Sequence, residues 1–569
     1  MKIFLTTFTL LAIAWAIIGS PFIFGDGYGY YHAGKALAEK GSFTTEEKPE
    51  YYNYTGHGVI EYQGKFITPY TVGNALIWLP LLGLYSNIES GSTTSDYYYA
   101  FNGHSLVDGM VISLSAITLA SLSVLLICES LQILGFSKRI SYFSVATTFL
   151  GSFTLPYTII NASYSHIYEV FTFSLIIYLC LKLRSNKFEK IKYKNGAIIL
   201  IGSLFGLLFL IRPFDILLLL PIGIFLLKKF RAKALLLILG GIPFALIFFS
   251  YNLASYGSIL TTGYSLSDGF VFIFNLDRLI QLLFSDIRGW YIYSPLIFIS
   301  TVGLFIINKQ KKDLILLTLA PLAAILFGYS FWQNWWAGDS AGQRFLIVLL
   351  PIITLGTASF INHFKRRKTL IAIAVSLLSV YSLLLFILYR FTPTNIVGEN
   401  RADYQYINSY ERFGVSDIIK YHIKKITGSN SLYQYVNSLS EGLTGGRSVL
   451  MISLGLTKPI INVENYDNDI SIYIIPTPTK QNTNSNILMT YKTEESITYY
   501  SLKSINANHL FEIEISCKLN CSSKNYDLTK LEEPMDTSDY NVKEIKLKQG
   551  MVYLYIPNDL KLASPIRKI

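Results

Sequence analysis

The stretch PFIFGDGYGYYHAGKALAEKGS, residues 21–42, closes a run from residue 3 to residue 25 that contains no charged side chain. A charge-free run of this length is what a helix needs to cross a hydrocarbon core about 30 Å thick. Asp26 is the first charge after it. The run is long for a secretory signal and has no small-x-small cleavage site before Asp26, so it reads as an uncleaved first span with a carboxylate at its exit. Two readings of Asp26 stand side by side: a helix cap or solvated loop residue, and a functional group at the mouth of a cavity enclosed by the spans.

The rest of the chain supports that membrane reading. Its 569 residues are 51% hydrophobic and 15% charged. Further apolar runs fall near residues 105–133, 140–160, 166–183, 197–211, 214–227, 234–254, 290–308, 314–331, 345–362 and 370–390, giving a polytopic α-helical membrane protein with about eleven spans. The net charge of +11 does not point to nucleic acid, because Lys and Arg gather in short groups between apolar runs. With the amino terminus in the cytoplasm, the groups SKR (137–139), KLRSNKFEKIKYK (182–194), KKFRAK (228–233), NKQKK (308–312) and KRRK (365–368) all fall on the cytoplasmic side.

Two segments fix the count. Counting the apolar run 70–88 as a span would invert every later basic group, so it is expected to be interfacial or re-entrant. The run 197–227 is too long for one span, and Arg212 with Pro213 is where it is expected to divide. This arrangement puts residues 25–104 outside the cytoplasmic membrane, along with loops near 255–289 and 332–343 and everything from 391 onward. In YGYYHAGKALAEKGS, Tyr31, Ala33, Leu37 and Ala38 can share a face and Gly41 can close the end, which suggests a helix lying along the interface.

Residues 391–569 are expected to form a separate extracytoplasmic domain beside the membrane domain 1–390. Within it DISIYIIP, HLFEIEIS and MVYLYIP have strand character, and the domain reads as β-rich. Cys517 and Cys521 could close a small disulfide loop in an oxidising compartment or remain unpaired. Cys128 and Cys180 lie within apolar runs and read as small core residues.

Arg212, Arg288 and Arg344 fall at the external ends of predicted spans, against the trend of basic residues inside. Each is a candidate for binding a phosphate, or a side chain snorkelling to the interface. Trp332, Trp335 and Trp336 with Tyr329 read either as a sugar-stacking wall or as an interfacial aromatic belt. Tyr28, Tyr30 and Tyr31 share the belt reading. No phosphate loop, dinucleotide fingerprint or nucleophile elbow is present in the sequence.

The acidic exit after the first span, YQGKFITPYTVGNALIWLPLLGL, NASYSHIYEVFTF, LIRPFDILLLLP, SYGSILTTGYS, RGWYIYSPLIF and NWWAGDSAGQRFLIVLLP occur in this order over residues 1–390. That order resembles bacterial membrane glycosyltransferases of the GT-C class, in particular the family 39-like group of protein mannosyltransferases and lipid A aminoarabinose transferases. The resemblance implies a GT-C-like fold and transfer of a single sugar, with inversion, from a polyprenyl-phosphate donor to an extracytoplasmic acceptor. That acceptor would be an envelope glycan such as lipopolysaccharide, a lipid or a protein. It gives Asp26 the role of binding or deprotonating the acceptor.

Several relatives carry a second acid beside this aspartate, whereas this chain has Gly27. A second carboxylate must then come from elsewhere, with Glu61, Asp108 and Asp339 as candidates. The resemblance places the loops of Arg344 and Arg288 over the cavity and matches His166 to a family position. Tyr30, His57, His166, Trp335, Trp336 and Asp339 are candidates for substrate binding. Some relatives use acids and histidine to hold a divalent metal, but His57, His104 and His166 show no metal-ligand spacing here. The competing class is a transporter or flippase of lipid-linked glycans, for which internal repeats are expected and none is seen.

Overall fold

The computed structural model describes residues 2–19, 21–23, 25–49, 52, 58–85, 104–185, 191–263, 274–338, 341–390 and 414–428, with further strands between 463 and 557. His57, Asp339 and Cys517 lie outside the described residues. The chain divides into two units, residues 1–88 with 107–443, and residues 89–106 with 444–569.

The first unit is helical. It opens with α1 (Lys2–Ile18), α2 (Asp26–Lys40), a two-stranded hairpin of β1 (Ile60–Tyr62) and β2 (Lys65–Ile67), and α3 (Gly73–Tyr85). Next come α4 (Leu106–Ile133), α5 (Lys138–Gly151), α6 (Thr154–Ile159), α7 (His166–Arg184), α8 (Ile191–Ile211), α9 (Ile216–Phe230) and α10 (Leu236–Tyr256). The remainder is α11 (Leu276–Phe284), α12 (Trp290–Tyr293), α13 (Leu296–Gln310), α14 (Leu319–Tyr329), α15 (Leu350–His363), α16 (Lys368–Arg390) and α17 (Val415–Gly428).

Among the described residues, seven helical segments are long and apolar enough to cross a membrane. The protein is therefore a polytopic helical membrane protein, and the eleven spans expected from the sequence are not all present by this measure. One counted segment, Pro213–Tyr256, holds two of the expected spans, and the other reasons are local. The run 140–160 breaks after Gly151, where Phe153 takes a left-handed backbone with φ of 58°. Pro295 delays the start of α13, leaving fifteen residues, and α1 has seventeen. The division at Arg212 and Pro213 is present: α8 ends at Ile211, and a short 3-10 turn, Pro213–Asp215, leads into α9. Proline removes a backbone donor and clashes with the preceding turn, so the helix stops there.

α2 departs from the interfacial helix suggested by its sequence. Gly41 does close it, with φ of 66° and its N–H bonded to Leu37 O. Residues 27 to 34, however, are buried on every side rather than along one face. Its glycines allow this, because Gly27 lies against Ser163, and Gly29 against Gly58 and Thr68, so closely that a Cβ would meet them. On its remaining side α2 packs on α3.

Contacts at the helix termini define two ends of the bundle. At one end Arg184, closing α7, forms a two-point ion pair with Asp313, and Lys229 Nζ donates to Arg184 O at 2.9 Å. Lys311 Nζ bonds Leu134 O at 2.8 Å, and both residues line one small cavity with His363. Residues from the basic groups at 182–194, 228–233 and 308–312 thus share this end. The start of α7, the end of α8 and the approach to α15 meet at the other.

The second unit contains antiparallel strands: β3 (Val463–Tyr466), β4 (Asp469–Ile474), β5 (Ile487–Lys492), β6 (Ile497–Ser504), β7 (Phe511–Ser516), β8 (Cys521–Lys524), β9 (Tyr526–Leu531), β10 (Tyr540–Lys546) and β11 (Met551–Pro557). They form a sheet of order β10-β11-β5-β6-β9 and another of order β3-β4-β7-β8.

Candidate functional site

Asp26 is the first residue of α2, with Gly25 at the cap position, and its side chain caps nothing. The helix-cap reading of Asp26 is therefore set aside. Its Oδ2 lies 3.1 Å from Arg344 Nη1, and its Oδ1 accepts a hydrogen bond from the Tyr70 hydroxyl at 2.9 Å. Both carboxylate oxygens thus have a partner, in the first turn of a helix. Tyr30, expected at the substrate, is buried instead, with its ring against Tyr70 and Trp78. It supports the tyrosine that holds Asp26.

Arg344 opens a 3-10 turn, Arg344–Leu349, that leads into α15. Its guanidinium lies over the Tyr164 ring at 5.1 Å and near that of Phe345 at 5.6 Å. The loop before it turns through left-handed backbone at Ala337, Gly338 and Gly342, and Gly338 lies against Arg344 Nη2. A Cβ at Gly342 would press into the Phe153 ring, so both conformation and space favour glycine there.

Arg212, where α8 ends, lies over the other part of the same aromatic group, 4.2 Å from the Phe345 ring and 5.9 Å from that of Tyr329. Phe345 thus has a guanidinium from each of two distant segments beside it. Arg212 Nη1 is also 3.5 Å from His166 Nδ1 and 3.7 Å from Glu169 Oε1. His166 begins α7, faces Glu169 Oε2 at 3.6 Å and packs edge-on against Tyr157. Glu169 accepts a further, short hydrogen bond from Ser165 Oγ.

Asp26, Arg344, Arg212 and His166 are therefore brought together at one end of the bundle. Arg288 is not among them. It is fully buried, bonds Ile287 O at 2.6 Å and Tyr293 OH at 3.3 Å, and lies near the Tyr389 ring, so it reads as a core residue. Trp335 and Trp336 stand edge-to-face, and Trp335 O accepts from Gln343 Nε2 at 3.0 Å. Trp335 is buried, while Trp332 packs against Phe214 and Phe345.

Of the proposed second acids, Asp108 is committed elsewhere, accepting from Tyr31 OH at 2.7 Å and pairing with Lys35 at 3.0 Å. Glu61 is exposed on β1. The acids present in the cluster are Glu169 and Asp215, which the sequence reading did not single out. Their signal was available: each is a lone carboxylate in an apolar helical run, where an ionisable group needs a reason.

Among the described residues, no group of three or more His, Cys, Asp or Glu side chains is placed to hold a metal. Beside Glu169 and His166 the cationic place is taken by the Arg212 guanidinium.

No family model matches the chain, and no curated protein matches it. Among solved structures it is similar to the archaeal oligosaccharyltransferase AglB from Archaeoglobus fulgidus, in complex with an inhibitory peptide and a dolichol-phosphate. Identity is 12% and the TM-score 0.40, over 67% of this chain and 55% of that one. It is also similar to the Archaeoglobus fulgidus oligosaccharyltransferase in complex with Zn and sulfate, at 14% identity and a TM-score of 0.39, over 72% of this chain and 58% of that one. The chain spans less than two thirds of the length of these proteins.

Proposed function

We propose that this protein is a glycosyltransferase of the cytoplasmic membrane. It moves a single sugar, with inversion, from a polyprenyl-phosphate donor to an extracytoplasmic acceptor, most simply an envelope glycan. One observation carries the reading: a partly exposed carboxylate, Asp26, paired with Arg344 while a second guanidinium, Arg212, shares the Phe345 ring. Support also comes from the position of this cluster, at the end of the bundle away from the basic groups, which the distribution of Lys and Arg assigns to the outer face.

Transfer to a hydroxyl requires a base for the proton and positive charge for the departing phosphate. Asp26 and Arg344 neutralise each other. A donor phosphate recruits Arg344 and Arg212 and releases Asp26. Asp26 then takes the acceptor's hydroxyl proton as that oxygen bonds to the anomeric carbon, and the bond from that carbon to the phosphate oxygen breaks. The polyprenyl phosphate leaves with its charge held by the two arginines, and Tyr70 keeps Asp26 in place.

Mass spectrometry of envelope glycans tests this in cells carrying the intact protein, a deletion, and Asp26→Asn at matched expression. The expected result is loss of the same single sugar mass in both altered strains. An Asp26→Asn strain with glycans identical to the intact strain, beside a deletion that lacks the sugar, would remove Asp26 from the reaction.

A further inference from the structure

Glu169 has no part in the reaction as written above, yet its position is costly. It is fully buried inside an apolar helix, where a carboxylate is tolerated only with good partners. Those partners are Ser165, His166 and Arg212. The Arg212 side chain is 15% exposed, so it reaches from this buried pair toward the open end of the bundle, with Phe345 on its other side.

A second acid lies close by. Asp215 is fully buried and within electrostatic reach of both Glu169 and Arg212. Neither of its carboxylate oxygens has a hydrogen-bond partner among the described residues. Two buried acids therefore lie within reach of one guanidinium, and the structure pairs it with Glu169.

Building on the assignment of Arg212 to the donor phosphate, we propose that Glu169 is a positioning residue for that arginine. It holds the guanidinium against Phe345 and keeps it from turning to Asp215, so that the second cation is in place when the lipid phosphate arrives. An arginine has much rotamer freedom to lose, and a fixed one loses less on binding.

The test uses the full chain in detergent and measures binding of undecaprenyl phosphate to wild type, Glu169→Gln, Arg212→Ala and the double variant. Undecaprenol, which lacks the phosphate, serves as the control. Glu169→Gln is expected to weaken phosphate binding by about tenfold or more, on the scale of removing one partner of a buried charge pair. In the Arg212→Ala background the same change is expected to have no further effect, since it acts only through Arg212. Undecaprenol binding is expected to be unchanged throughout, which a general loss of structure would not allow.

Glu169→Asp, which keeps the charge on a shorter stem, is expected to fall between wild type and Glu169→Gln, and it carries the comparison if the glutamine variant does not fold. Unchanged or tighter binding in Glu169→Gln, or equal weakening with and without Arg212, overturns the positioning role and leaves the lipid-phosphate reading intact. A wild-type protein that binds undecaprenol and its phosphate equally overturns both.

Discussion

Asp26 and Arg344 illustrate what a sequence reveals and what it hides. Each could be singled out as a charge out of place, but their pairing could not, because it depends on how α2 and the turn before α15 meet. Glu169 carries the same kind of signal, a lone carboxylate in an apolar run, but its role depends on a partner, Arg212, that only the fold brings to it. A base in the proposed position is typically worth about 10² to 10⁴ in rate, so Asp26→Asn is expected to lower transfer within that range in an assay with purified donor and acceptor. Gly27 makes a sterically sharp prediction. A Cβ there would collide with Ser163 Cβ and Oγ, so placing a second acid beside Asp26 by Gly27→Asp is expected to cost about 1–3 kcal/mol or more. Thermal melting checks this, and Ser163→Gly is expected to recover part of the loss.

At the scale of elements, α2 was legible as a helix from its Gly41 stop, but its burial was not, since an amphipathic pattern cannot show that a second layer covers the polar side. His32 is a consequence of that burial. It is fully buried, with Nε2 2.8 Å from Phe66 O. Burial holds it below its ordinary value of 6.5 and the nearby Lys40 charge pushes the same way, while the Phe66 hydrogen bond offsets part of the shift. The folded state thus binds its proton less readily than the unfolded state. This contribution to stability is whole above about pH 6.5 and is lost as pH falls below it, by at most about 1.4 kcal/mol per pH unit. Melting temperatures across that range check it, and His32→Gln is expected to flatten the profile. The α13 and α15 pair makes a packing prediction. Gly303 and Gly356 bring the two backbones together, and Ser300 Oγ meets Thr357 Oγ1 at 2.7 Å across them. Close approach through small residues is a common means of helix association in lipid. Gly356→Leu is expected to separate the pair and lower the melting temperature, with Gly223→Leu, at a site open to space, as the tolerated control.

For the whole molecule, the membrane class was plain from hydropathy, while the number of spans was not. Hydropathy registers that a run is apolar, whereas a left-handed residue such as Phe153 or a proline such as Pro295 divides it without changing its composition. The two-ended distribution of charge predicts orientation. A cysteine introduced at Gln310 is expected to react with an impermeant thiol reagent only from the cytoplasmic side, and one at Glu61 only from outside; the reverse pattern would invert the topology. On the proposed function, the mutual closure of Asp26 on Arg344 bears on selectivity as well as catalysis. A bilayer offers anionic phospholipid headgroups in vast excess over any carrier lipid, and an open pair of guanidiniums would collect them. With the Asp26 carboxylate facing Arg344, the protein would present these bulk lipids with less to hold, and on the proposed reading a ligand must displace Asp26 to gain entry. The inactive Asp26→Asn protein is accordingly expected to leave the membrane with more bound anionic phospholipid than wild type, which native mass spectrometry would count directly.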